Sequence, residues 1–322
     1  MINLRFTNIL ILSILICYPV NSKTLSISID DASLPNGFYF SIDERVNKIL
    51  KALEVTQTNE AIIYAITKTL QSKDALNRLK KYKKSGHLIG NHTHSHLYAS
   101  KVNPEAYIED ITKAHEYLKE NNLLSLYFRY PYLDRGEKHY KSKKIREYLK
   151  SINYKDAYVT IATKDWLINS LFQKELANFN TIDIYKLKDL YIKSIMADIQ
   201  HAHQYSLNVF KKEIHHTLLL HENDITALFL EDLILKIKSK GWRIHKASDS
   251  YADKNVIANF HNSINHYEST CISTKTTICL KDRDNIEDIV KTFKNSNIVL
   301  NKIDFSPIFF LKKLINFIRE KF

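Results

Sequence analysis

The sequence predicts an α/β fold, a parallel barrel that is closed or nearly closed, followed by a C-terminal appendage. Three observations point there. Short β-rich runs alternate with amphipathic helical stretches at the spacing of βα units. About seven such units occur with one long helix, which favours a barrel over an open sheet. Residues suited to catalysis recur where the runs end, and in parallel barrels that end of the sheet carries the chemistry. A length of 322 residues accommodates one such barrel plus an appendage.

The elements follow in order. "LSISID" (25–30) alternates apolar and polar residues and ends in paired acids. Ile42, Val46, Ile49, Leu50 and Leu53 fall at helical spacing. "AIIYAIT" (61–67) reads as a buried strand, and "DALNRLKKYKKSG" (74–86) as an amphipathic helix stopped by Gly86. "HLIGNH" (87–92) is a strand, 104–122 a helix with proline in its first turn, and "LLSLYFRYP" (123–131) a strand ended by Pro131. A helix over 143–152 precedes a strand, "DAYVTIAT" (156–163), and 167–183 reads as a long insertion. A long helix over 184–205 leads to the strand "HTLLLH" (216–221), a helix over 225–241 and a last strand, "WRIH" (242–245). Beyond residue 253 the alternation stops. Residues 285–296 form an amphipathic helix, and "FSPIFFLKKLINFIREKF" is an apolar, basic tail. The expected division is a leader over 1–22, a catalytic domain over 23–253 and a helical appendage over 254–322.

Composition is globular, with 44% hydrophobic and 25% charged residues, and the net charge is +12. The lysines are scattered, and the dense run "KSKK" (141–144) lacks interleaved aromatics, so a lysine-rich solvated face is favoured over nucleic-acid binding. The N-terminus has Arg5, then an apolar run from Ile9 to Cys17, then a small-residue exit at Val20-Asn21-Ser22. That is the anatomy of a secretory signal peptide cleaved after Ser22; the alternative is an uncleaved anchor. Export to the periplasm, the cell envelope or the medium follows. Cys271 and Cys279 then remain, an even pair expected to close a small disulfide loop, or else two free thiols. The C-terminal tail packs on the barrel or a partner, with a membrane surface as the alternative.

Five strand ends carry chemistry: Asp30-Asp31, the His92–His96 run, Arg129-Tyr130-Pro131-Tyr132, Asp165-Trp166 and His221. Each has a bland reading. Paired Asp is often a turn or cap, Trp is usually core, and His after an apolar run is often a buried structural histidine. The functional readings are one carboxylate for a metal and one for proton transfer, with Arg129 holding a carboxylate in place. His92 and His96, four apart, would share a face of one helical turn and make a good metal pair.

In this order "SIDDAS", "HTHSH", "RYPY", "DW" and "LLLH" resemble the motifs of the polysaccharide deacetylases, carbohydrate esterase family 4, over roughly residues 25–250. The resemblance implies a distorted, closed or incomplete (β/α) barrel. One departure is Ala32, where the family carries glycine; alanine does not readily take positive φ, which puts the following loop in question.

What the resemblance implies chemically is as follows. Asp31, His92 and His96 would hold a divalent metal, zinc by donor type, leaving a position for water. Asp30 would be general base, oriented by Arg129. The Tyr132 N–H would support the oxyanion, and His221, with its charge sustained by Asp165, would protonate the leaving amine. Trp166 and Leu219 would line the acetyl pocket. The partner would be an N-acetylated glycan such as peptidoglycan or a chitin-like chain. His94 is the spare histidine. An O-acetyl esterase and a carbohydrate-binding homologue without activity are the competing readings.

Overall fold

The structure, a computed structural model, describes residues 23–136, 138–251 and 277–300, with backbone only for 277–285. The leader at 1–22, Cys271, the side chain of Cys279 and the tail beyond residue 300 lie outside the described residues.

Eight strands form a curled, all-parallel sheet: β1 (Thr24–Ala32), β2 (Ile62–Ala65), β3 (Leu88–Asn91), β4 (Leu124–Phe128), β5 (Lys155–Asp156), β6 (Ile161–Ala162), β8 (His215–His221) and β9 (Arg243–Ile244). The order is β5-β4-β3-β2-β1-β8-β6, with β9 also on β1. Helices α1 (Ile42–Val55), α2 (Lys73–Lys84), α3 (Pro104–Glu120), α4 (His139–Ser151), α5 (Asp165–Ala177), α6 (Ile184–Phe210) and α7 (Asp224–Ser239) join and surround the strands. This is the expected distorted (β/α) barrel, curled as a half-barrel.

The alternation in β1 sorts its side chains between two interiors. Leu25, Ile27 and Ile29 are fully buried in the main apolar core, which the surrounding helices share. Ser26, Ser28 and Asp30 are buried on the opposite face. Ile62, Tyr64, Tyr127, Tyr158 and Tyr251 form a second apolar cluster. Gly90 makes room for it: a Cβ there would sit 2.4 Å from the Tyr64 ring.

Two expectations change. The single strand read over 156–163 is two short ones, because the segment serves both ends of the curl. β5 pairs with β4 and β6 with β8, and Ala157 and Thr160 donate to Phe128 and Thr217 on the two sides. The insertion read over 167–183 is mostly α5, whose Ile168, Phe172 and Leu176 are buried. Those residues recur at i, i+4 and i+8, a helical signal present in the sequence.

The described part of the segment read as an appendage, residues 277–300, packs against the rest of the chain. In α8 (Thr277–Asn295) Ile289 and Phe293 join the main core, as does Ile298. Val299–Leu300 (β10) pairs antiparallel with Thr181–Ile182 (β7). Among the described residues no helix is long and apolar enough to cross a membrane.

Candidate metal and catalytic site

Asp30 and Asp31 are adjacent, and in a regular strand they would point to opposite faces. The β1–β2 register shifts between Ile29 and Ala32, and Asp31 adopts φ 64°. This irregularity re-aims the second carboxylate, so both approach His92. His92 Nε2 lies 3.8 Å from Asp30 Oδ2 and 3.3 Å from Asp31 Oδ1. The left-handed residue is thus Asp31; Ala32 stays in the strand, paired with Ala65 and fully buried. Ala32 therefore does not take the positive φ that a glycine there would ease.

His92 and His96 come together, but not through a helical turn. Past β3 the chain bends, with Thr93 and His96 both left-handed (φ 64° and 57°). Asn91 Oδ1 accepts from Thr93 N at 2.8 Å, and Thr93 Oγ1 accepts from His96 N at 3.0 Å. These short polar bonds fold the histidines onto one side, with ring centroids 4.9 Å apart. His94 turns the other way, its Nδ1 2.9 Å from Thr67 Oγ1. It lines a surface groove of about 400 Å³ together with Glu109, Glu116 and Tyr117, in which none of the other candidate residues takes part.

The donor set fits a divalent cation. One atom from each of Asp31, His92 and His96 lies within 4.8 Å of the others. His92 Nδ1 is 2.8 Å from the Arg129 carbonyl, which can only accept, so Nδ1 carries the proton and Nε2 presents a lone pair. Asp31 Oδ1 is buried without a hydrogen bond, 3.3 Å from His92 Nε2 and 3.1 Å from His96 Nε2. Those separations are near the edge of about 3.3 Å expected for a tetrahedron with zinc's bonds of ~2.0 Å. Burial opposes ionisation of Asp31. Without a cation, protons on the two histidines and the charge of His221 nevertheless hold its carboxyl far below the usual range; a cation at this point would replace the Nε2 protons.

Arg129 is almost fully buried and wholly committed. Nη1 donates to both Asp30 oxygens at 3.2 Å, Nε to Ala157 O at 2.6 Å, and Nη2 to Ser28 Oγ at 3.2 Å and Tyr251 Oη at 3.3 Å. The guanidinium lies over the Tyr64 ring at 4.5 Å. Burial works against its charge, but Asp30, Tyr251 and Tyr64 together outweigh it and its pKa rises further. Asp30 is thereby locked in position.

Across the site, β8 pairs in register with β1, so Asp30 stands opposite His221 and Ser28 opposite Leu219. His221 Nδ1 lies 2.7 Å from Asp165 Oδ1. Asp165 opens α5, fully buried, where the helix N-terminus favours an anion. It also accepts from His221 N, Asn223 Nδ2, Thr226 Oγ1 and Thr163 Oγ1. Burial alone would discharge both partners. Instead His221 is pushed up to about 9, chiefly by Asp165, and Asp165 is held below the ordinary carboxylate range, chiefly by His221. Leu219 is buried two residues before His221, on the same side of β8. Trp166, in the first turn of α5, is half exposed. Tyr132 is half exposed, its ring 4.5 Å from that of His96. The site residues are therefore gathered at one end of the barrel. Ser28, Tyr64, Tyr251, Thr163, Asn223 and Thr226 complete their bonding and were not anticipated. The outward alternation of β1 and the N-cap pattern Asn223-x-x-Thr226 were the available signals.

Residues 18–157 match the family model for polysaccharide deacetylase. No curated protein matches by sequence. A carbohydrate esterase family 4 pseudoenzyme from Bacillus anthracis superposes with a TM-score of 0.52 at 15% identity, over 72% of this chain and 66% of that one. The chitin deacetylase of the fungal pathogen Colletotrichum lindemuthianum does so at 0.51 and 16%, over 73% and 89%. A mutant of the peptidoglycan deacetylase PdaC from Bacillus subtilis gives 0.50 and 16%, over 77% and 98%. At such identities the structural likeness speaks to the fold. Over residues 18–157 the sequence is thus similar to the polysaccharide deacetylases, and the curled barrel shares the fold of their solved members.

Proposed function

We propose that this protein is an exported, metal-dependent hydrolase that removes N-acetyl groups from an aminosugar-containing glycan and releases acetate. The observation that carries the reading is the convergence of three pieces: the Asp31–His92–His96 donor set, Asp30 fixed by Arg129, and a charged His221 backed by Asp165. A divalent ion held by Asp31, His92 and His96, zinc by donor type, would polarise the acetyl carbonyl and acidify a water molecule.

The chain's own residues supply the rest. Asp30, held in place by Arg129, accepts the proton of the attacking water. The Tyr132 N–H donates to the carbonyl oxygen as negative charge grows there. His221, protonated at neutral pH, hands its proton to the sugar nitrogen as the C–N bond breaks, and Asp165 sustains its charge until then. Leu219 and Trp166 bound the space for the acetyl methyl group. The products are acetate and a free amine on the sugar. Export rests on the leader anatomy of residues 1–22.

The test is to incubate zinc-loaded protein with N-acetylated and O-acetylated glycan oligomers and to measure acetate, free amine and oligomer mass. Loss of one acetyl with appearance of an amine is expected. Acetate without amine would make the protein an O-acetyl esterase, and no acetate from any substrate would make it a binding homologue.

A further inference from the structure

We propose that Tyr98 is a positioning residue for Tyr132, holding the turn that presents the Tyr132 N–H; this rests on the role given to that N–H above. The turn is unusual for its residues. Leu133 N donates to Tyr130 O and Asp134 N to Pro131 O, each at 3.0 Å. Tyr132 and Leu133 have φ 58° and 56°, so the second turn has positive φ at both central positions, the type I′ pattern that favours Gly and Asn. Bulky residues persist in such a conformation where their surroundings over-determine it.

Those surroundings are not the core, since the Tyr132 side chain is 52% exposed. Its ring is stacked flat on Tyr98, with centroids 3.6 Å apart and planes 2° from parallel. Lys101 Nζ covers Tyr98 at 3.9 Å from the ring centroid. The neighbouring backbone is fastened in the same sense. Ser100 N and Oγ donate to Asp134 Oδ2 at 2.8 and 2.7 Å, and Lys141 Nζ donates to Ser100 O and Val102 O at 2.8 and 2.7 Å. The loop that follows the candidate ligand His96 is thus joined along its length to the loop that carries Tyr132. The other ring within reach of Tyr132 is that of His96 at 4.5 Å, which a bound cation would hold by its own nitrogen. Tyr98 is therefore the group whose contact acts on Tyr132 alone. Stacking needs its ring; its hydroxyl also interacts with that of Tyr132, and Tyr98→Phe separates the two contributions.

The experiment compares Tyr98→Ala, Tyr98→Leu and Tyr98→Phe in the full chain. It reads kcat and KM on an N-acetylated glycan oligomer, the affinity for Zn2+ alone, and hydrogen exchange at the Tyr132 and Leu133 amides. Displacing an oxyanion donor in part should lower kcat about 10-fold in Tyr98→Ala and Tyr98→Leu, below the ~100-fold or greater loss on deleting one. KM and Zn2+ affinity should stay within about 2-fold, and the two amides should exchange faster. Tyr98→Phe should behave as wild type in every readout. Unchanged kcat and exchange in both the Ala and Leu variants would overturn the proposal, and so would a loss of Zn2+ affinity parallel to kcat, which would place the effect on His96. If the wild type releases no acetate, the functional reading fails by itself, and the amide exchange still decides whether Tyr98 holds the turn.

Discussion

The two sides of the site are built by opposite means. The Asp31–His92–His96 side stands on irregular backbone: a register shift in β1 and left-handed conformations at Asp31, Thr93 and His96. The His221–Asp165 side stands on regular elements, the end of β8 in register with β1 and the first turn of α5. Convergence of three donors on one point requires neighbouring residues to face the same way, which a strand forbids and bends allow. A proton donor and its counter-charge need only a fixed pair in a dry place, which a strand end and a helix N-terminus already provide. The family match reflects the same division. It covers residues 18–157, with all three donors, Asp30 and Arg129, and stops before Asp165 and His221.

The sharpest way to break this contrast is to disable each side in turn. His92→Ala or His96→Ala should abolish stoichiometric zinc binding, measured by metal analysis after dialysis, and activity should fall by about 10³-fold or more. His94→Ala, whose ring faces Thr67, should retain the metal. If His94→Ala proved the worst of the three, the donor assignment would be wrong. On the other side, His221→Asn should cost about 10²–10⁴-fold in kcat with zinc content unchanged, the loss of one general acid. Metal lost along with activity in that variant would show that the sides are one unit.

A subtler separation uses pH. His221 is raised to about 9 from 6.5 by Asp165, so its contribution to stability is complete below 6.5 and is lost as pH rises through about 9. Asp165 is lowered, so its contribution is present above about 4 and is lost as pH falls further. The difference in Tm between metal-free wild type and Asp165→Asn should therefore be widest between about pH 4 and 6.5, shrinking as pH rises from there through about 9 and as it falls below about 4. On the proposed role of His221, the alkaline fall of kcat in the wild type would report His221 losing its proton. Asp30 and Asp31 also favour the charged form. A cation on Asp31 opposes them, so that fall should begin below pH 9 in the zinc-loaded enzyme. An identical His221 titration by NMR with and without zinc would contradict the placement of the ion beside it.

How far the sequence could be read follows the same division. The strand of the regular side is read as such, and its helix α5 is not: "TLLLH" reads as a buried strand whose alternation places Leu219 and His221 on one face, whereas 167–183 reads as an insertion. The irregular side was legible as a set of residues but not as a shape. The four-residue spacing pairs His92 and His96 through a helical turn, whereas Thr93 and His96 bend the chain by left-handed conformations that few non-glycine residues adopt. Strain was expected at Ala32 and is carried by Asp31, because the register shift falls one residue earlier. The pattern over 156–163 does not show its division into two strands, because that division depends on partners far away in the chain, Phe128 and Thr217. Helix α5 needed no such knowledge; its 3.6-residue period was there to count.

The smallest expected effect tests whether left-handed backbone at the site differs from left-handed backbone elsewhere. Lys211 ends α6 at φ 55°, exposed, with its N–H bonded to Leu207 O. Glycine takes that conformation without a Cβ penalty, so Lys211→Gly should stabilise the protein by up to about 1 kcal/mol in urea unfolding. Thr93 has nearly the same φ, 64°, and by backbone preference alone Thr93→Gly should gain as much. It should instead destabilise and weaken zinc binding, because Thr93 Oγ1 accepts the His96 N–H and turns that ring toward Asp31. A stabilised Thr93→Gly that kept full zinc affinity would mean that the bend needs no side-chain support.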